Sequence, residues 1–165
     1  MLKSLALCMG LAVVASTAQA QDYELYAEVE GWDVFVDNSD QTCLIQRISD
    51  AGVVQMGVWQ KDPLMVYIGV FTKDATNLRD GAVGDLIIDI DGQLFTGQGV
   101  AVTKRITEGY QGGYVLSNDP AFLTDVAKRY VMTVYPNTEA AFQVSLDGTY
   151  AAMQSAMECN AAQGS

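Results

Sequence analysis

Apolar and polar residues alternate along much of this chain, and side chains spaced by two fall on one face of a β-strand. Over residues 32–37 the alternation puts Trp32, Val34 and Val36 on one face. Asn38-Ser39-Asp40 is a turn cluster. A second strand covers 42–48 and closes at Ser49-Asp50-Ala51-Gly52, and a third covers 53–60 and ends at Lys61-Asp62-Pro63. Residues 64–72 break the pattern. Leu64, Val66, Ile68 and Val70 occupy one side and Met65, Tyr67 and Phe71 the other, which predicts a central strand covered on both faces. The polar stretch 73–84 is a connection, with Leu78 in a short helical turn.

Over 85–90 the alternation is strict, with Leu86, Ile88 and Ile90 inward and Asp85, Ile87 and Asp89 outward. Asp91-Gly92 fits a two-residue type I′ hairpin turn, and 93–96 return. Gly97, Gly99, Gly112 and Gly113 indicate bulges or close backbone approaches. Residues 100–106 and 114–117 read as further strands. Asp119-Pro120 supplies an N-cap and a first helical residue for a helix reaching Lys128, with Phe122, Leu123 and Val126 towards the core. Residues 130–135 and 141–146 form a strand pair around Pro136-Asn137. Asp147-Gly148-Thr149 caps a last helix over 150–158, whose apolar side carries Ala152, Met153, Ala156 and Met157. The polar, acidic stretch 21–31 is either a loose arm or a first edge strand. The fold class is α+β, mostly β. It is an antiparallel sandwich or barrel-like sheet of about eight to ten strands with two short helices, the last one C-terminal.

The start of the chain follows a different pattern. Lys3, an apolar run over 5–14 and Ala18-Gln19-Ala20 read as a secretory signal peptide over residues 1–20, leaving 21–165 as a single exported domain. The run is about half as long as a spanning helix needs, so no integral membrane anchor remains after cleavage. Leu7 stands where a lipid-attachment site before Cys8 needs a small residue, so Cys8 leaves with the leader. Periplasmic or secreted localisation follows. Removing 20 of the 165 residues leaves 145, enough for one core. Eight basic residues then face twenty acidic ones, a formal charge of −12 that argues against nucleic acid and anionic membrane surfaces.

The chain has no histidine, so histidine-based nucleophilic catalysis and pH switching are excluded and an imidazole metal site is not expected. Acid–base chemistry is left to carboxylates, Lys or Tyr. Cys43 and Cys159 are an even pair in an exported protein, without C-x-x-C spacing, and predict a structural disulfide. Asp85, Asp89 and Asp91 share one side of a strand and turn but lack the spacing and bidentate Glu of an EF-hand calcium loop. Asp33 and Asp37 alternate with the Trp32 face and offer carboxylates to pair with other acids for glycosidase-like chemistry, which needs two at a defined separation. Ser145 with Lys104 or Lys128 lacks an S-x-x-K motif. No catalytic residue, metal ligand or cofactor is assigned. Tyr110 and Tyr114, on and beside the Gly-rich segment 109–113, are the residues assigned to a binding loop.

Gly31-Trp32-Asp33-Val34, followed by Cys43-Leu44-Ile45-Gln46, resembles the opening of the invasion-associated locus B family. Phe142-Gln143-Val144-Ser145-Leu146-Asp147-Gly148 and Tyr150-Ala151-Ala152-Met153 are similar to that family's terminal strand, Gly turn and Ala-rich helix. The resemblance implies a small periplasmic β-sandwich of alphaproteobacteria, with no catalytic residues to carry over. Members often carry a Cys two residues after the W-x-V, where this chain has Val36, which is consistent with Cys43 pairing with Cys159 instead. The expected function is a non-enzymatic module that binds a protein or an envelope component. The alternative is a small-ligand carrier or carboxylate-based hydrolase on the same scaffold.

Overall fold

Among the described residues, ten strands, numbered in chain order, pair antiparallel into one open sheet, in the order β1-β2-β3-β4-β5-β8-β7-β6-β9-β10. They are β1 (Tyr23–Val29), β2 (Trp32–Asp37), β3 (Thr42–Ile48), β4 (Val53–Val58), β5 (Val66–Thr72), β6 (Val83–Ile90), β7 (Gln93–Val102), β8 (Gln111–Ser117), β9 (Val131–Val134) and β10 (Phe142–Ser145). Helix α1 (Pro120–Ala127) lies between β8 and β9, and α2 (Thr149–Ala162) ends the fold. The computed structural model describes residues 23–58, 65–73, 78–103, 109–118, 120–139 and 141–164. The leader assigned to 1–20 lies outside them, as do Leu64, Lys104, Asp119 and the turn at 61–63.

One core cluster draws on both ends of this sheet. Trp32, Val34 and Val36 of β2, with Val54 and Met56 of β4, belong to the same cluster as Leu86, Ile88 and Ile90 of β6 and Val144 of β10. A continuous sheet achieves that only by curling over on itself. It does not close into a barrel: β1 and β10 remain its two edges. Within 21–31, Tyr23–Val29 form the edge strand β1, whose pairing shifts register between Leu25 and Ala27. A register shift and the charges of Glu24 and Glu28 both discourage strand addition at an edge. The 85–90 alternation holds, and Asp91 (φ 50) with Gly92 (φ 85) makes the hairpin turn, in the positive-φ region that type I′ requires.

The last helix differs from expectation in length and rotation. It continues to Ala162, and its buried residues are Thr149, Ala152, Ala156 and Cys159, while Met157 is 60% exposed. The physical reason is the tether. Cys159 is bonded to Cys43 of β3. Ala152, Ala156 and Cys159 share one stripe at helical spacing, and Met157 lies about 100° away from its neighbour Ala156. The N-cap is Gly148, in the left-handed region at φ 79, with no side-chain cap bond. Trp32 Nε1 donates to Asp147 O at 2.9 Å, Arg47 Nη1 to Asp147 O at 2.9 Å and Ser145 O at 3.0 Å, and Cys43 N to Asn160 Oδ1 at 2.7 Å. The helix is therefore fixed across β1, β2 and β3.

Candidate functional site

The alternation that buries Leu86, Ile88 and Ile90 turns Val83 to the opposite side of β6. Val83 pairs across the ladder with Val100 of β7, and both are exposed, at 64% and 42%. Leu78, 37% exposed, joins them on the rim of a groove of about 260 Å³. Arg79 and Asp85 place one charge of each sign on its lining. Backbone bonds pin the wall formed by residues 78–82 to β7: Gly81 N donates to Ala101 O and Ala101 N to Ala82 O, both at 2.8 Å. Thr103 N also donates to Asp80 Oδ1 at 3.0 Å.

Gly112 and Gly113 also line this groove, and the close approach expected of them is observed. A Cβ at Gly112 would overlap Val70 O and Phe71 Cα of β5, and one at Gly113 would stand 2.7 Å from Val100 O. Tyr135, another lining residue, has φ 49 and donates its N–H to Ile87 O at 2.9 Å. A bulky residue held at positive φ is an uncommon conformation. Burial raises the Tyr135 phenol above its ordinary value.

The two tyrosines assigned to a loop do not share one. Tyr110 precedes β8 and is half-buried, with Lys73 Nζ 4.8 Å from its ring centroid. Tyr114 is a ladder residue of β8, opposite Gly69 of β5 and Val100 of β7. The Gly-rich run continues strand pairing because its missing side chains let β8 pass close to β5 and β7. The Tyr114 ring covers Gly69 and makes edge contacts with Tyr67 and Phe71 at 5.3 and 5.1 Å. Tyr67 covers Gly57 in the same way. Tyr114 Oη donates to Gln55 Oε1 at 2.8 Å, and Gln55 Nε2 donates to Gln46 Oε1 at 2.8 Å. Burial raises the Tyr67 and Tyr114 phenols well above their ordinary value, with Tyr23 and Asp37 adding to it. Beside them, Tyr23, Asp37, Asp40, Thr42, Tyr67 and Tyr114 line a second cavity of about 120 Å³.

Comparison with family models, curated proteins and solved structures returns no match.

Three of the acids singled out in the sequence, Asp37, Asp89 and Asp91, accept hydrogen bonds from backbone N–H groups. Asp89 Oδ1 accepts from Gly92 N at 2.7 Å, closing the hairpin turn. Asp91 accepts from Tyr130 N at 3.0 Å and Val131 N at 3.2 Å, joining that turn to β9. Asp37 Oδ1 accepts from Ser39 N, Ser39 Oγ and Asp40 N at 2.9, 2.6 and 3.2 Å. Asp33 and Asp37 stand four residues apart on β2, about 13 Å along an extended strand. Ser145 Oγ accepts from Asp147 N at 3.2 Å. Among the described residues, no group of three or more His, Cys, Asp or Glu side chains is placed to hold a metal ion.

Sequence reasoning missed Leu78 and Val83 because both fall in the stretch assigned to a polar connection. One signal was available: Val83 extends the outward set of Asp85 and Ile87 by one more step of two.

Proposed function

We propose that this chain is an exported, non-enzymatic binding module that holds another protein or an envelope component of the periplasm. The observation that carries the reading is the groove rimmed by exposed Leu78, Val83 and Val100. Large apolar side chains gathered in one exposed place mark interaction sites. At about 260 Å³ the groove falls below the 300–1,000 Å³ usual for drug-sized ligands, and suits a single anchoring side chain of a partner. The Cys43–Cys159 bond supports export to an oxidising compartment. Among the described residues, no helix is long and apolar enough to cross a membrane. The resemblance of the terminal segments to the invasion-associated locus B family supports the same placement.

The test is site-specific photo-crosslinking in the intact source cells, with the crosslinker at Val83, at Val100 and, as a control, at Ser39 in the β2–β3 turn. One dominant adduct from Val83 and Val100, absent from Ser39, is the expected result. No adduct, or the same adducts from all three positions, overturns the assignment.

A further inference from the structure

A second site stands apart from the groove and does not depend on it. We propose that the cavity enclosed by Tyr23, Asp37, Asp40, Tyr67 and Tyr114 binds a guanidinium or ammonium group.

The chemistry of the lining selects that class. Among the described residues that line it, the charged ones are Asp37 and Asp40, and none is basic. Carboxylates at neutral pH only accept hydrogen bonds. Tyr114 has one proton and spends it on Gln55 Oε1 at 2.8 Å, so its oxygen can only accept from a ligand. Tyr23, Thr42 and Tyr67 add hydroxyls that can donate or accept, and the two acids favour a ligand that brings positive charge together with donors. A quaternary ammonium has the charge without the donors and would leave these acceptors unmatched. The volume agrees. About 120 Å³ is the share of roughly four waters, more than a bare metal ion fills and sufficient for a planar guanidinium or an ammonium head.

The site is also rigid before anything binds. Three hydrogen bonds to Oδ1 fix Asp37 in the β2–β3 turn. Tyr67 and Tyr114 are held over Gly57 and Gly69 and against each other. Rings already in place lose little freedom on binding. The raised phenols of Tyr67 and Tyr114 agree with this geometry: burial is the main cause, and Asp37 adds negative charge felt at both.

The oxidised protein is titrated with methylguanidinium chloride at constant ionic strength, following the ring proton signals of Tyr67 and Tyr114 by NMR. Methylurea serves as the neutral analogue. Saturable shifts with the cation and none with methylurea are expected. Asp40 lends its N–H, not its carboxylate, to the turn bond, so Asp40→Asn keeps the fold and weakens binding about fivefold by removing one nearby charge. Tyr114→Phe is the second variant and weakens binding through the lost acceptor. A capped Gly-Arg-Gly peptide separates two sources of the group. Binding at least tenfold tighter than methylguanidinium assigns the site to an arginine of a partner chain, and equal binding assigns it to free small cations. The proposal fails when no saturable shift appears, when methylurea shifts the same signals at the same concentration, or when Asp40→Asn binds unchanged. Val83→Glu, in the groove, leaves this titration unaltered, so failure of one site does not imply failure of the other.

Discussion

Strand β4 buries five of its six residues, on both faces, whereas β6 buries only Leu86, Ile88 and Ile90 of its eight. The two strands belong to one sheet and contribute to one core. They differ in what covers the outer face. Over β4 and β5, Tyr67 and Tyr114 fold across Gly57 and Gly69 and seal a layer that includes Gln46, Gln55 and Phe71. Over β6 and β7 nothing equivalent occurs among the described residues, and Val83, Ile87 and Val100 are exposed. The difference shows that sheet position does not by itself decide burial. Cross-strand glycine–aromatic pairs turn an outer face into a second small core, and their absence leaves a surface on which a partner can settle.

The largest effect is expected in the core that both strands share, to which Cys43 and Cys159 belong. Breaking the Cys43–Cys159 bond, which spans 116 residues, removes about 4–5 kcal/mol in the chain-entropy account. Chemical denaturation of Cys43→Ala/Cys159→Ala against the oxidised protein reads it. Gly112→Ala is next, because its Cβ meets backbone on β5 and the strands must separate. A loss of about 3 kcal/mol is expected for such overpacking, and an unchanged midpoint would show that the β5–β8 spacing is looser than described.

Tyr114→Phe removes the donor to Gln55 and leaves a buried acceptor unmatched, at about 1–2 kcal/mol. The same tyrosines make the covered side sensitive to alkali. Tyr67 and Tyr114 have phenols raised in the folded state above 10.0, so they hold their protons longer there than in the unfolded chain. Their contribution is intact below pH 10 and is lost as pH rises through the folded values, because the unfolded chain gives up those protons first. Urea midpoints at pH 8 and above pH 10 measure the fall, and Tyr114→Phe makes it shallower. On the open side, Val83→Thr and Ile87→Thr change stability by less than about 0.5 kcal/mol. A large loss there would mean that β6 is covered after all.

The open side was the more legible in the sequence. Strict alternation over 85–90 and Asp91-Gly92 specify β6, its turn and its return, because one-sided burial leaves a period of two. The apolar run that became β5 was also legible as doubly covered. What covers it was not, because Tyr67 reaches Gly57, and Tyr114 reaches Gly69, only through the registers of β4–β5 and β5–β8. The second register joins residues more than forty positions apart, with β6 and β7 between them in sequence. The assignment of Tyr110 and Tyr114 to one loop had the same cause. A run containing Gly112 and Gly113 reads locally as flexible, and only the neighbouring strands show that the glycines permit close pairing. Met157 entered the buried stripe because helical periodicity alone does not set rotation, which the bond at Cys159 does.

The attachment of α2 to β1, β2 and β3 also sets an order of assembly. The first strands of the sheet take their cover from residues 149–162. Until that helix docks, Asp147 O is not in place for the indole of Trp32 or the guanidinium of Arg47, and Cys43 has no thiol to meet. A chain threaded through a membrane from its N-terminus would hold an unfinished core through most of its passage. Its folding would then be timed by the arrival of its last helix, with oxidation of the cysteine pair as the step that locks it.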